Sequence, residues 1–293
     1  MEDYQPVQLD CREVATGRAV HGWRTMLLDG APRVLVVDAD DFATRLLDPA
    51  ELDCEEAAAE REVEASRYGR ALFAATEAPF PTRNDGVTRA TERVKGLFLS
   101  IDLCPAPAGK FADHLFAALT AEARASGRPV PVALAVTADW MARHGREFDR
   151  LVGMQRDGVL AITWVNHSAT HPYQRGLADA ENFLLTPGTD AEHEVLATEV
   201  ALLERGQVPS PFFRFPGLVS DRGWVERLAT YSLVPLGSDG WLANGQEPRE
   251  GSVILVHGNG NEPAGVAGLL RRLPVLRKLG PFLPISKLFG GQP

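Results

Sequence analysis

Beyond residue 95 short apolar runs alternate with stretches of helical periodicity, the pattern of βα units that build a largely parallel sheet. Strands are predicted at Leu97–Asp102, Val132–Val136, Leu160–Val165, Phe212–Phe215, Leu233–Leu236 and Val253–Val256. Between them, Phe111–Ser126 places Phe111, Leu115, Ala118 and Leu119 on one helical face and meets Gly127 as a stop. A second helix begins at Thr189: Thr189 and Glu192 have capping-box spacing, Leu196, Val200 and Leu203 form the stripe, and Gly206 ends it. The pattern changes near residue 80. Before it lie a strand at Val34–Val37 and an acidic, alanine-rich stretch, Leu52–Ala75, that reads as a helix. Ala78–Arg93, with Pro79, Pro81, Asn84, Asp85 and Gly86, carries the turn residues of a linker. The chain therefore divides into an N-terminal extension of unknown role, 1–94, and an α/β domain, 95–293.

Composition narrows the class. The 293 residues are 45% hydrophobic and 24% charged, close to the globular norm, so disorder and fibrous architectures are excluded. A net charge of -9 disfavours nucleic acid and anionic lipid as partners. The Arg- and Lys-bearing stretch Leu270–Lys278 reads as the solvated face of a terminal helix. Cys11, Cys54 and Cys104 lie too far apart for a Cys-x-x-Cys motif, and their odd number argues against a disulfide framework; free thiols and a reducing compartment are expected. The start carries no secretory pattern and no run approaches the ~20 apolar residues of a membrane span. Taken as it stands, the chain is expected to be cytoplasmic; removal of a signal would make it periplasmic or extracellular.

The candidate chemistry gathers at strand ends, where α/β barrels collect their functional groups. Asp102 ends the first strand of the second region. His167 and His171 follow the third, four residues apart, so that one helical turn would put both imidazoles on one face to grip a cation. Arg214 sits at the end of the fourth strand and His257 closes the sixth. The sequence Gly258–Asn261, GNGN, lacks the Lys and Ser or Thr of a phosphate loop and reads as a tight turn. An acid, a His pair, an Arg and a further His, each from a different strand, would converge on one barrel mouth.

These motifs, in this order, resemble the polysaccharide deacetylase family, whose catalytic part is the NodB homology domain of carbohydrate-esterase type. The likeness runs from Gly96 to Leu273. SIDLCP stands where the family has its paired aspartates, so Asp102 matches the catalytic base; HSATH is the family's His pair intact; RFPG carries Arg214, which orients the base; LVHGN ends in His257, the general acid. Two departures stand out. Leu103 replaces the second aspartate, normally the third metal ligand, and in SDGW Asp239 is displaced by one so that only Trp241 is in register. Alternation along a strand would put Asp102 and Cys104 on one side and Leu103 on the other, leaving Asp102 or Cys104 as replacement ligands.

The resemblance implies a distorted barrel of about seven β/α units with an N-terminal α/β extension. It also implies a divalent cation, zinc before cobalt or manganese, on His167 and His171. Asp102 would deprotonate water, a backbone N–H at Tyr173 would hold the oxyanion, and His257 would protonate the departing amine. The reaction it implies is hydrolysis of an N-acetyl group on an amino sugar or polysaccharide, with a small-molecule or oligosaccharide substrate as partner. The alternatives are a metal-independent amidase of the same superfamily, of allantoinase type, and a non-catalytic carbohydrate binder.

Overall fold

Two sheets organise the chain, and a computed structural model describes residues 1–54, 62–106 and 110–290 of it. The larger sheet contains β6 (Phe98–Leu103), β7 (Val130–Val136), β8 (Leu160–Asn166), β9 (Phe212–Phe213), β10 (Val234–Pro235), β11 (Gly240–Trp241) and β12 (Val253–His257). Its seven strands run in the order β10-β9-β8-β7-β6-β12-β11, and every pairing is parallel. This is the curled sheet of a distorted (β/α)7 barrel. All six strands predicted from the apolar runs are present; β11, two residues long, has no such run and was not foreseen.

Strand alternation splits the core in two. Leu99, Ile101, Leu103, Leu134 and Val136 face the helix layer and pack with Leu115, Phe116 and Leu119 of α2 (Asp113–Ser126). Phe98, Ala133, Ala135, Val165 and Phe212 face the barrel interior. Strands buried on both sides need continuous apolar runs, which is why these were legible. Helix α2 stops at Gly127, in the left-handed conformation with φ 66° that glycine adopts without penalty.

The smaller sheet is antiparallel, in the order β4-β3-β2-β1-β5: β1 (Glu2–Glu13), β2 (Ala19–Leu28), β3 (Ala31–Asp38), β4 (Thr44–Leu47) and β5 (Leu52–Asp53). Only β3 was foreseen. The expected helix Leu52–Ala75 is corrected: Leu52–Asp53 pair with β1, residues 55–61 lie outside the described residues, and the helix α1 spans Arg67–Ala75. Ser66 caps it by accepting from the Gly69 N–H. Trp23, Met26, Leu35 and Val37 carry this sheet onto the barrel side, in one cluster with Phe212, Val234 and Leu236.

The expectation of free thiols at Cys11 and Cys54 is overturned. Arg12 stands opposite Asp53 in the β1–β5 ladder, so Cys11 and Cys54 are the next facing pair, and they form a disulfide. Only Cys104 is free. Spacing in sequence, 43 residues here, says nothing of strand pairing.

Between the sheets runs a hydrogen-bonded chain, Asp10–His21–Ser232, in which His21 Nε2 lies 2.9 Å from Ser232 Oγ. Its order is that of a serine hydrolase triad, but Ser232 is 1% exposed, so no substrate reaches it and the chain serves as a clasp. The expected linker Ala78–Arg93 forms no regular strand or helix, yet it is no free tether. Val87 N–H donates to Pro235 O and Gly237 N–H to Val87 O, while Ala90 N–H donates to Gly251 O and Val253 N–H to Thr88 O. The segment thus occupies the seam between β10 and the start of β12, the gap that a seven-stranded curl leaves open. Gly86 fits there because any side chain would collide with the Pro235 backbone, 2.4 Å from where its Cβ would be.

Candidate active site

At the C-terminal ends of the parallel strands a cleft of about 700 Å³ opens, lined by Asp102, Cys104, His171, Tyr173, Trp241 and His257, among others. His167 and Arg214 lie beneath it, 1% and 0% exposed. The six residues singled out in sequence thus come together at one barrel mouth.

His167 is oriented by the backbone just after β9. Its ring Nδ1 lies 2.8 Å from the Arg214 carbonyl oxygen, so Nδ1 carries the proton and Nε2 keeps a free lone pair. Nε2 is buried without a hydrogen-bond partner, 3.6 Å from Asp102 Oδ2. Burial disfavours the imidazolium and holds His167 neutral, its pKa lowered to about 3. His171 is lowered to about 3 as well, by burial first and then by the neighbouring His167. The two rings sit 4.9 Å apart at 74°.

The loop joining them is not the helical turn the spacing suggested. Ser168 and His171 have φ of 67° and 51°, and the loop is held from outside. Ser168 N–H donates to Asn166 Oδ1; the Ala169 and Thr170 N–H groups and the Thr170 hydroxyl donate to the buried carboxylate of Glu194. Glu194 comes from α5 (Ala191–Leu203), where Thr198 also donates to Ser168 O. The cap of α5 differs too: Asp190, not Thr189, accepts the His193 N–H. Helices α3 (Ala138–Arg143) and α4 (Gly145–Arg156) precede β8 on the outer layer.

Asp102 Oδ1 is buried and unpartnered. Arg214, expected beside it, makes no carboxylate contact among the described residues: Nη2 donates to Ser100 Oγ at 2.8 Å, while Nε and Nη1 are buried without partners. Burial lowers the Arg214 pKa, and attraction to Asp102 only partly offsets this. An unsatisfied buried polar atom costs about 1–3 kcal/mol. A cluster of them, from Asp102, His167 and Arg214, marks a place built to receive a group with charge or ligating needs of its own. His167 Nε2, with its lone pair free and its tautomer fixed, fits a divalent cation.

His257 is drawn toward its charged form by a residue that sequence reading missed. Its Nδ1 is 2.8 Å from Glu262 Oε2, off the line of a straight hydrogen bond, and Trp241 Nε1 donates to the same oxygen at 2.8 Å. Burial opposes the imidazolium, but Glu262 and the more distant Asp102 outweigh it, and the pKa of His257 is raised. Glu262 itself is lowered by His257 despite partial burial. Asp239 does not reach His257; its nearest cation is Arg89, at 3.8 Å. Glu262 stands just before helix α6 (Pro263–Leu276), where an acidic residue reads as ordinary helix-start chemistry. Tyr173 has an exposed ring against Phe183, and its N–H donates to no acceptor among the described residues.

No family model matches the chain. Among solved structures, PdaA of Bacillus subtilis, a family 4 carbohydrate esterase, is similar with a TM-score of 0.51 at 15% identity, over 81% of this chain and 90% of that one. The chitin deacetylase of the fungal pathogen Colletotrichum lindemuthianum is similar with a TM-score of 0.50 at 16% identity, over 71% and 92%. At such identity the likeness is one of fold, and it agrees with the resemblance carried by the ordered motifs: the chain has the fold of the family 4 carbohydrate esterases.

Proposed function

We propose that this protein is a metal-dependent deacetylase that hydrolyses an N-acetyl group on an amino sugar. The observation that carries the reading is the cleft in which an unpartnered carboxylate, a neutral His pair with one lone pair free, and a His with a raised pKa meet. His167 and His171 hold the cation, whose chemistry is to polarise the acetyl carbonyl and acidify water. Asp102 Oδ1, bonded to nothing else, takes the proton of the attacking water. The free N–H of Tyr173 donates to the oxyanion. His257, whose acid form Glu262 favours, delivers its proton to the amine nitrogen, which leaves only as the neutral amine. Arg214 acts as a positioning residue through its positive field on Asp102. The Cys11–Cys54 disulfide supports a site of action outside the cytoplasm.

The test is acetate release from N-acetylglucosamine oligomers by protein stripped with chelator and reloaded with zinc or cobalt. Release that requires the metal is expected. Hydrolysis that survives chelation would favour the metal-independent amidase, for which the loss of a carboxylate at Leu103 speaks. Metal binding without turnover on any acetylated sugar would overturn the enzymatic reading.

A further inference from the structure

Leu103 cannot ligate, yet two imidazoles alone are a weak cation site, so the question is which atom completes it. We propose that Cys104 is the third protein ligand, making with His167 and His171 a thiolate–imidazole–imidazole centre; the proposal rests on the metal-dependent reading above. Cys104 Sγ and one ring nitrogen of each histidine lie within 4.8 Å of one another. No other such group of three occurs among the described residues.

The strand dictates this placement. Leu103 is fully buried with Ile101 and Phe116 in the helix-facing core, so closely that its Cδ2 is 2.9 Å from where a Cβ on Gly258 would stand. Its neighbours in sequence therefore face the cleft, and both Asp102 and Cys104 line it. The ligand lost at 103 is thus replaced one residue later by a sulfur that faces the cleft.

Two independent observations point to a ligand at Cys104. His167 Nε2, 1% exposed with its residue, has a free lone pair and no protein partner. Cys104 Sγ receives amide donors: Asn259 Nδ2 at 3.1 Å and Asn261 Nδ2 at 3.5 Å. Asn259 is fixed, 2% exposed, because the same amide donates to Cys104 O at 2.7 Å. Burial first, and Asp102 second, push the free Cys104 thiol up to about 12, so the sulfur gives up its proton only as a cation replaces it, and the two N–H groups then give the bound thiolate the outer support such ligands need. The GNGN turn, bland in sequence, thereby acquires a role. Three protein ligands leave a fourth position open for water, the arrangement of catalytic zinc sites. A sulfur donor also narrows the cation to zinc or cobalt and disfavours manganese and magnesium. Asp102 is then spared from ligation and remains free as the base.

The experiment is titration of chelator-stripped protein with cobalt(II), read by ultraviolet and visible absorption and by stoichiometry. The wild type should bind one equivalent and show a thiolate-to-cobalt charge-transfer band. Cys104→Ser should lose the band and bind about 100-fold more weakly, and Cys104→Asp should recover affinity without the band. Thermal melting of each stripped variant checks its fold, and the wild-type band needs no variant at all. One equivalent bound without the band, at an affinity unchanged in Cys104→Ser, would overturn the proposal and leave the metal-dependent reading standing. Failure of the wild type to bind cobalt would overturn both.

Discussion

Arg24 and Arg214 are both fully buried, and they could hardly be treated more differently. Arg24 forks onto Glu199 with contacts of 2.7 and 3.0 Å, donates to the Trp23 and Tyr231 carbonyls, and lies 4.7 Å over the Trp23 ring. Burial works against its charge but Glu199 prevails, and its pKa is raised. Arg214 has one hydroxyl for company, and its pKa is lowered. A buried cation that is fully paired rivets the antiparallel sheet to α5. One left short of partners is tolerated only where its field is needed by something else, here the carboxylate of Asp102.

That contrast can be broken most directly by making each arginine apolar. Arg24→Met leaves Glu199 buried without a counter-charge, so denaturant unfolding should show a loss of about 3–5 kcal/mol, with turnover per folded molecule intact. Arg214→Met should leave the melting temperature equal or higher while turnover falls about 100-fold, by analogy with other lost electrostatic donors. Equal stability losses in the two variants would erase the distinction.

Asp102→Asn and His257→Ala should each lower turnover by about 100-fold or more without altering the unfolding midpoint in denaturant. Near-normal rates in either would remove that residue from the chemistry. Leu103→Asp tests which wall of the strand matters. Its carboxyl would enter the helix-facing core, so calorimetry should show a destabilisation of about 3 kcal/mol and no gain in metal affinity. Tighter metal binding with unchanged melting would place residue 103 in the cleft after all.

The smallest effect concerns Glu262. Because Glu262 raises the pKa of His257 above its unfolded value, it supports the acid form and adds stability below the unfolded pKa that fades as pH rises through the folded one. Glu262→Gln should therefore shift the alkaline limb of the kcat/KM profile to lower pH, with little change at acidic pH. A limb that does not move assigns it to another group.

How much of this was legible follows from where each signal resides. The strands β6, β7, β8 and β12 announce themselves because both faces are buried. β1 does not: register shifts between Glu2 and Gln5 and between Pro6 and Leu9 break its alternation, and Pro6 is tolerable because β1 is nearly an edge, its outer partner β5 being two residues long. In the site, Asp102, His167, His171, Arg214 and His257 stood out by type and position at strand ends. Glu194, Asn259 and Glu262 did not, since an acid on a helix or an Asn in a turn has an ordinary local explanation. Asn259 acts through a contact across the fold, 155 residues from Cys104, whereas Glu262 acts on His257 only five residues before it, through a loop whose course the sequence does not show.

The strap across the barrel seam has a consequence for biosynthesis. Asn84 bonds to Ser238 through both its amide groups, partners separated by 154 residues, so the strap leaves the ribosome long before the edges it joins. Synthesis runs at about 5–20 residues per second, which leaves this early segment waiting for roughly ten to thirty seconds with its hydrogen-bonding groups unsatisfied by their final partners. Barrel closure is then a late, long-range event that draws residues 84–90 and 235–253 together at once. A fragment beginning at residue 95 would lack the stave that seals it, and the nascent chain has reason to keep its first ninety residues close at hand.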